Sequence, residues 1–581
     1  MTKAILAAEA DKIQDFIFRA SRLREVSGGS AILSRFCEEA PKLFACEDVV
    51  INDGGAFRLI FATEQQAVQA GATLADLYYM ATGCSLSVGE PVPWSGREAD
   101  FAAANDAAGH QLRAAKRAQG AAVSAHLPQM AFCTSTGLEL AYRYTNANPN
   151  LPANYVSRYS LYKGSEHRKH QHKEEFVEQF LTAVVGQANV HAFDAPEDAE
   201  AVGRLDGRGY VAYLVADGNG MGALFSRCKT RAELRRLSQR LSEIVSQSLA
   251  EPARRLYNWL VQDGTIAMSD SDEQRTIPLL PMILGGDDLF VLLPAPWAIA
   301  IAAEFCRGFE ERMNQFVQEE LGWTLPVQER PTMSAALVLC KAKYPFYLAH
   351  QHGDKLLKAA KQLAKSSDHR QSTLSIDLIV GNHLVEPDAQ TGHYRASLNP
   401  YYVNETAGDA PLTQSIAITR LLAARVALTA LEQKRLAQLR TLFDTKALNP
   451  LTIEQPDTIE QWQEQLHALV DRISLIKGDD LTQEPERYAA LQRLGFNFQI
   501  KREKGKNNQM VERPLMPSVA QILYHLLFLL GDRESASYFR SVRRGRDYYA
   551  SAFPDLLDWW DYLKELPLGS GAIPTQSEVT Q

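Results

Sequence analysis

The chain has 581 residues, enough for three to five domains at about 100–200 residues each. Hydrophobic residues make up 46%, which excludes global disorder, and the formal net charge of −8 excludes whole-protein attraction to nucleic acid, leaving only local basic patches for that role. Seven scattered cysteines without a C-x-x-C pair argue against a disulfide framework, and no apolar run of about 18 residues predicts a membrane span, so a soluble cytoplasmic protein is expected.

In chain order, AILAAEA (4–10) predicts a strand, and DKIQDFIFRASRL opens a helical region. VVINDGGAFRLIFA (49–62) predicts a β-hairpin turning at Gly54-Gly55. A middle region, roughly 100–205, holds FCTSTGLELA, a basic histidine stretch SEHRKHQHK (165–173) and an Ala/Asp/Glu-rich segment. The apolar run Tyr210–Ala216 then predicts a buried strand ending at Asp217, followed by a tight turn at Gly218, Gly220 and Gly222 and a helix over about Arg231–Leu260. IPLLPMILGGDDLFVLLP (277–294) predicts a second hairpin turning at Gly285-Gly286, followed by a helix, the strand TMSAALVLC (332–340), a helix through HGDKLLKAAKQLAK (352–365) and the strand STLSIDLIV (372–380).

This βαββαβαβ order is that of a ferredoxin-like core with additions, and the first hairpin reads as part of an imperfect earlier copy whose glycines are followed by Ala56 and Phe57 instead of carboxylates. The segments 418–443, 458–477, 486–496 and 517–530 predict helices, with KREKGKNNQ (501–509) as a loop. The expected fold class is α+β: a first ferredoxin-like domain (1–95), a middle linker domain (96–205), a second ferredoxin-like domain (206–385), an all-α C-terminal domain (410–565) and a disordered tail (566–581).

Joining nucleotides requires a 3′-hydroxyl to attack an α-phosphate in line, and two divalent ions about 3.5–4 Å apart stabilise the attacking and leaving oxygens. Hard cations prefer carboxylates held by rigid neighbours. Asp217 at a strand end and Asp287-Asp288 at a hairpin tip supply such a set, for two Mg²⁺ or Mn²⁺ ions. Gly285 and Gly286 would let a nucleotide approach the backbone, and the turn Gly218-Asn219-Gly220-Met221-Gly222 would offer amides to a triphosphate. Lys355, Lys358 and Lys361 on the later helix could meet phosphate; a solvated helix face is the simpler reading for the first two.

These motifs, taken together, resemble the large polymerase/cyclase subunit of type III CRISPR effector complexes, a protein with two Palm domains that makes cyclic oligoadenylate. The family's D-x-D/N-x-x-G turn and GGDD hairpin are matched by Asp217–Gly222 and Gly285–Asp288, and its N-terminal signature by KIQDFIFRASRLREVSGGSAILSRF (12–36). The resemblance spans roughly residues 1–385. It implies ATP as substrate, guide and target RNA with other effector subunits as partners, and a composite pocket in which the degenerate first Palm, with Gly54 and Gly55, holds an acceptor nucleotide. It places Ser334 near a base, and similarity to the ADKALYxAK helix of GGDEF cyclases places Lys361 near phosphate. No HD motif is found, so DNA cleavage is not expected. CTSTG (133–137) resembles a zinc knuckle with Thr136 in place of a cysteine, so no zinc is expected.

Basic residues outside this frame admit bland readings: Arg19, Arg22 and Arg24 as an exposed helix face, His167, His170 and His172 as a solvated loop, and the Arg/Tyr-rich segment 538–553 as an RNA contact, an acidic-partner contact or a packed helix end. Two other functions stay open on the sequence: a stand-alone cyclase making other cyclic nucleotides, and a scaffold subunit that binds nucleotide or RNA without turnover.

Overall fold

The computed structural model describes residues 2–11, 13–18, 23–118, 130–137, 139–145, 153–169, 175–266, 275–366, 371–380, 397–405, 415–429, 431, 433–443, 456–473, 485–496, 500–504, 510–514, 517–531, 540–544 and 546–567.

The first unit runs β1 (Lys3–Ala10), α1 (Ile13–Phe18), α2 (Leu23–Glu39), β2 (Asp48–Asp53), β3 (Ala56–Phe61), α3 (Glu64–Thr82), β4 (Leu86–Val88), β5 (Val92–Trp94) and α4 (Phe101–Ala118). Thr63 caps α3 by accepting from the Gln66 amide, and Gly83, in the left-handed conformation, ends it. The strands lie in the order β2-β3-β1-β4, with β5 also paired to β1. Helix α4 packs on β1, β4 and β5, so the unit extends past the expected limit at 95. A middle region follows: β6 (Arg143–Thr145), β7 (Asn154–Val156), α5 (Arg158–Lys169), α6 (Glu175–Val185), β8 (Phe193–Asp194) and α7 (Ala199–Gly203).

The second unit comprises β9 (Tyr210–Asn219), α8 (Met221–Arg227), α9 (Arg231–Gln262), β10 (Arg275–Thr276), β11 (Leu280–Gly285), β12 (Asp288–Pro294), α10 (Ala298–Glu319), β13 (Thr332–Lys341), α11 (Phe346–Ser366) and β14 (Thr373–Leu378). A capping box between Thr230 and Glu233 starts α9. With β15 (Tyr401–Tyr402), the sheet order is β11-β12-β9-β13-β14-β15. Hairpin, first strand and returning strand therefore follow one order in both units, that of a ferredoxin-like fold.

Strand β9 shows why its sequence is apolar throughout. Ala212, Leu214 and Ala216 join the core shared with α9, α10 and the C-terminal helices, whereas Val211, Tyr213 and Val215 join the core formed with α11 and with α1 and α2 of the first unit. A strand covered on both faces loses the polar alternation of a half-exposed one. Phe18 of the first unit seals the contact, edge-on to Phe290 with centroids 4.7 Å apart and 3.6 Å from the His350 ring.

The C-terminal region contains α12 (Ile418–Ala427), α13 (Gln433–Phe443), α14 (Pro456–Ile473), α15 (Pro485–Arg493), β16 (Ile500–Lys504), β17 (Met510–Pro514), α16 (Val519–Leu530), β18 (Arg540–Arg544), β19 (Arg546–Ala550) and α17 (Phe553–Asp558). It is not all-α. Two hairpins form instead: β16/β17 takes up residues 501–504 of the loop expected over 501–509, whose remaining residues lie outside the described ones, and β18/β19 takes up much of the Arg/Tyr-rich segment. A hairpin satisfies its backbone groups by pairing with itself, so charged sequence such as IKREK can form one without an apolar stripe. The continuous helix expected over 418–443 is interrupted between α12 and α13. The expected tail, 566–581, lies outside the described residues from 568 onward. Among the described residues no helix is long and apolar enough to cross a membrane.

Candidate active site

Asp217 does not end its strand. β9 continues to Asn219, flanked by β12 and β13, so Asp217 projects from the middle of the sheet. On β11/β12, Gly285 pairs with Asp288, which leaves Gly286 and Asp287 as the two turn residues. Only Gly286 of the glycine pair has positive φ, 58°, so the turn lies one residue later than Gly-Gly predicted. Leu289 pairs with Ala216, and one further step along that register sets Asp288 opposite Asp217. Gly218 completes the arrangement. A Cβ there would lie 2.9 Å from Asp287 Cβ and 3.0 Å from its Oδ2, so glycine lets the Asp287 side chain lie against β9.

The electrostatics follow from this crowding. Burial pushes the Asp287 carboxyl up to about 6, Asp217 adds repulsion, and the Gly218 amide and Lys361 oppose the rise. Asp288 is pushed up to about 7, first by desolvation and then by Asp287 and Asp217. One side of Asp288 is exposed, so water screens part of that effect. Asp354 on α11 adds repulsion at Asp288 and is itself raised by burial. Lys361 Nζ lies 2.5 Å from Asp217 Oδ2.

Among the described residues, no three Asp, Glu, His or Cys side chains converge as ligands of one ion. The donor chemistry nonetheless suits hard divalent cations. Neighbouring carboxylates resist ionising without positive charge, and the Lys361 ammonium already acts as a cation at Asp217. A Cβ added at Gly285 or Gly286 would meet no described atom within 4 Å, so the turn is open to a ligand.

Other expected contacts are internal. Asn219 is 7% exposed and donates to Thr332 at 3.1 Å and Ser334 at 2.9 Å. Ser334 is 0% exposed and also bonds Thr373, at 3.0 Å. It braces β9, β13 and β14 and cannot touch a base in this conformation. Gly218 and Asn219 lie within the strand, Gly220 has φ 81° before α8, and Gly222 lies inside that helix, so no open amide loop forms at 218–222. The sequence suggested the loop because three glycines in five residues imitate a phosphate turn, while sheet pairing with β13 claims the first of them.

The registers align the two units residue by residue. Glu9 pairs with Ala56 and Ser87, as Asp217 stands opposite Asp288 and Ser334. Gly55 and Ala56 thus occupy the places of Asp287 and Asp288, and Glu9 that of Asp217. Lys116 meets Glu9 at 2.7 Å, a counterpart of the Lys361–Asp217 pair. Ser87 donates to Asp11 at 2.8 Å, mirroring Ser334 with Asn219. Gly54 (φ 58°) is open, but Gly55 is buried, and a Cβ there would lie 2.7 Å from Ile13 Cδ1. Gly55 therefore serves packing. Glu9, Asp11 and Ser87 were missed in the sequence because their likeness to the second unit lies in strand register, not in a shared motif.

In CTSTG, Gly137 N–H donates to Cys133 O at 2.8 Å, closing a tight turn. Ser135 Oγ and Ser160 Oγ both donate to the buried Glu25 carboxylate, at 2.7 and 2.6 Å, which ties this turn to α2. Hydroxyl–carboxylate bonds thus anchor the turn. Arg19, Arg22, His170, His172, Tyr538 and Phe539 lie outside the described residues, as do the side chains of Arg24, His167 and the β18/β19 arginines and tyrosines.

Residues 210–372 match Cas10/Cmr2, second palm domain. No curated protein matches the chain. Among solved structures, the Csm1–Csm4 cassette in complex with cA4 is 16% identical, covering 66% of this chain and 55% of its own, with TM-score 0.40. The cassette in complex with pppApA is 14% identical over 84% of this chain and 68% of its own, TM-score 0.47. Csm1 in T. onnurineus is 15% identical over 84% and 67%, TM-score 0.44. This chain thus spans little more than half of the first of these proteins.

Proposed function

We propose that this chain is the cyclase subunit of a type III CRISPR effector, a metal-dependent nucleotidyltransferase that joins ATP into cyclic oligoadenylate when target RNA is bound by its partner subunits. The observation that carries this reading is the open turn Gly285–Asp288 set against Asp217 within a segment that matches the Cas10/Cmr2 second palm domain. Asp217, Asp287 and Asp288 would hold two Mg²⁺ or Mn²⁺ ions, which when bound supply positive charge to the attacking and leaving oxygens. The glycines keep side chains away from the turn, so a triphosphate can reach the carboxylates. Lys361 places its side-chain nitrogen beside Asp217, suited to a phosphate group. The first unit, with Gly55 and Ala56 in the places of Asp287 and Asp288, is suited to hold an acceptor nucleotide, and the buried Ser334 is assigned to bracing the strand.

The test is incubation with each nucleoside triphosphate and Mn²⁺ or Mg²⁺, with and without partner subunits and target RNA, with products resolved by mass spectrometry. Cyclic oligoadenylates that depend on RNA and vanish in Asp287→Ala/Asp288→Ala are expected. Strong RNA-independent synthesis would favour a stand-alone cyclase, and unchanged synthesis by the double variant would overturn the assignment of the carboxylates.

A further inference from the structure

Helix α9 touches both hairpins. Its Arg231, Arg235 and Ser242 are spaced by four and seven residues, which places them on one helical face. Arg231 pairs with Asp48 at 2.9 Å, and Arg235 with the same carboxylate and with the Val49 carbonyl. Eleven residues further along the helix from Arg231, Ser242 Oγ donates to Asp53 Oδ2 at 2.7 Å. Asp48 and Asp53 are the first and last residues of β2. The helix advances about 16 Å over that interval and β2 about 17 Å, so the two elements stay in step along the whole strand.

Ser242 also receives the Gly286 amide at 3.2 Å, and Asp53 Oδ1 receives the Gly54 amide at 2.7 Å. A continuous hydrogen-bonded chain therefore runs from Gly54 N–H through the Asp53 carboxylate and the Ser242 hydroxyl to Gly286 N–H. It joins the turn of the first unit to the turn that carries Asp287 and Asp288. The negative end at Asp53 polarises the hydroxyl and makes its oxygen a better acceptor for Gly286.

We propose that Ser242 is a positioning residue, coupling the place of the first hairpin turn to the backbone of the Gly286-Asp287 turn. The inference rests on the active-site reading above for its consequence, but its structural part is tested without nucleotide. Hydrogen exchange of the full-length protein is measured for the peptide spanning 284–289 in wild type, Ser242→Ala, Asp53→Ala and the double variant. Ser242→Ala is expected to speed exchange at Gly286 by roughly tenfold, as for loss of a single bond near 1.4 kcal/mol. Asp53→Ala, which does not touch Gly286, should speed it too, and the double variant should be no faster than Ser242→Ala. Ser242→Thr, which keeps the hydroxyl, should restore slow exchange.

Under the active-site reading, Ser242→Ala should also raise the Mn²⁺ concentration for half-maximal turnover several-fold, with little change in KM for ATP. Unaltered exchange at Gly286 in Asp53→Ala, or additive effects in the double variant, would overturn the coupling. Altered exchange in a protein without nucleotide turnover would keep the coupling and refute the active-site reading instead.

Discussion

Asp287 and Asp288 share one short turn with raised carboxyl affinities for protons, and this has a stability consequence with a definite sign. Their folded-state values, about 6 and about 7, exceed the ordinary aspartate value of about 3.9. The folded chain therefore binds these protons more tightly than the unfolded chain. Their contribution to stability is fully present below about pH 4 and is lost as pH rises through about 6 to 7. In EDTA, Asp287→Asn/Asp288→Asn should be more stable than wild type at pH 8 by roughly 1–3 kcal/mol, discounted for the exposed side of Asp288, with the advantage fading toward pH 4.5. Urea unfolding at both values checks this. Divalent cations need the ionised carboxylates, so Mn²⁺ affinity measured by calorimetry should weaken as pH falls from 8 to 6. Lys361 holds both carboxyls down, so Lys361→Met should move that weakening to higher pH.

At the scale of elements, the site is two strands brought into register and kept close by a missing side chain. Gly218 lies in β9 directly against Asp287, and an added Cβ would also stand 2.8 Å from Met221 Cγ. Gly218→Ala should displace the Asp287 side chain, cost about 1–2 kcal/mol in thermal unfolding and lower turnover at least tenfold. Gly285→Ala meets nothing within 4 Å among the described residues and should shift stability by less than about 0.5 kcal/mol. Opposite effects of the two substitutions would place the contact on the wrong glycine. The Ser135–Glu25–Ser160 bonds have a different role, holding the middle region on α2 through two hydroxyls that donate to one buried carboxyl group.

At the scale of the whole molecule, the second sheet is covered on both faces. One face packs on α9, α10 and the C-terminal helices in a core that continues into Ile5, Val50 and Trp94 of the first unit, and the other packs on α11 and on residues of the first unit such as Phe18. The C-terminal side is fastened by Tyr401 against Trp559 and by Arg255 donating to Pro567 O at 3.1 Å. The first unit is fastened to α9 by Arg231 and Arg235, which converge on Asp48, with Arg231 also at Glu98 and over Trp94. Asp48→Ala leaves two partly buried guanidinium groups without that carboxylate. It should cost about 1–3 kcal/mol and loosen β2 and β3 selectively in hydrogen exchange, leaving α12 and α16 protected. Uniform loosening throughout would show that the two units unfold as one.

The sequence by itself determined the strands β1, β9, β13 and β14, the hairpins β2/β3 and β11/β12 and their order, but not the hairpins β16/β17 and β18/β19. Each of the former rests on local chemistry: apolar runs of strand length, glycine where φ must be positive, and aspartates flanking a turn. Only the tertiary structure decided which of these residues stay open and which are used up inside the fold. Asn219 and Ser334 read as ligand contacts in a motif but are consumed by strand-to-strand hydrogen bonds, because burial depends on what covers a face and not on which face alternation assigns. The one-residue shift of the turn came from the register, which neither glycine fixes alone. Glu9, Gly55 and Ala56 became counterparts of Asp217, Asp287 and Asp288 only through cross-strand pairing. Ser242 carries no motif at all. Its place between the two turns follows from the matched rise of a helix and a strand distant in sequence, a relation that exists only once both are packed together.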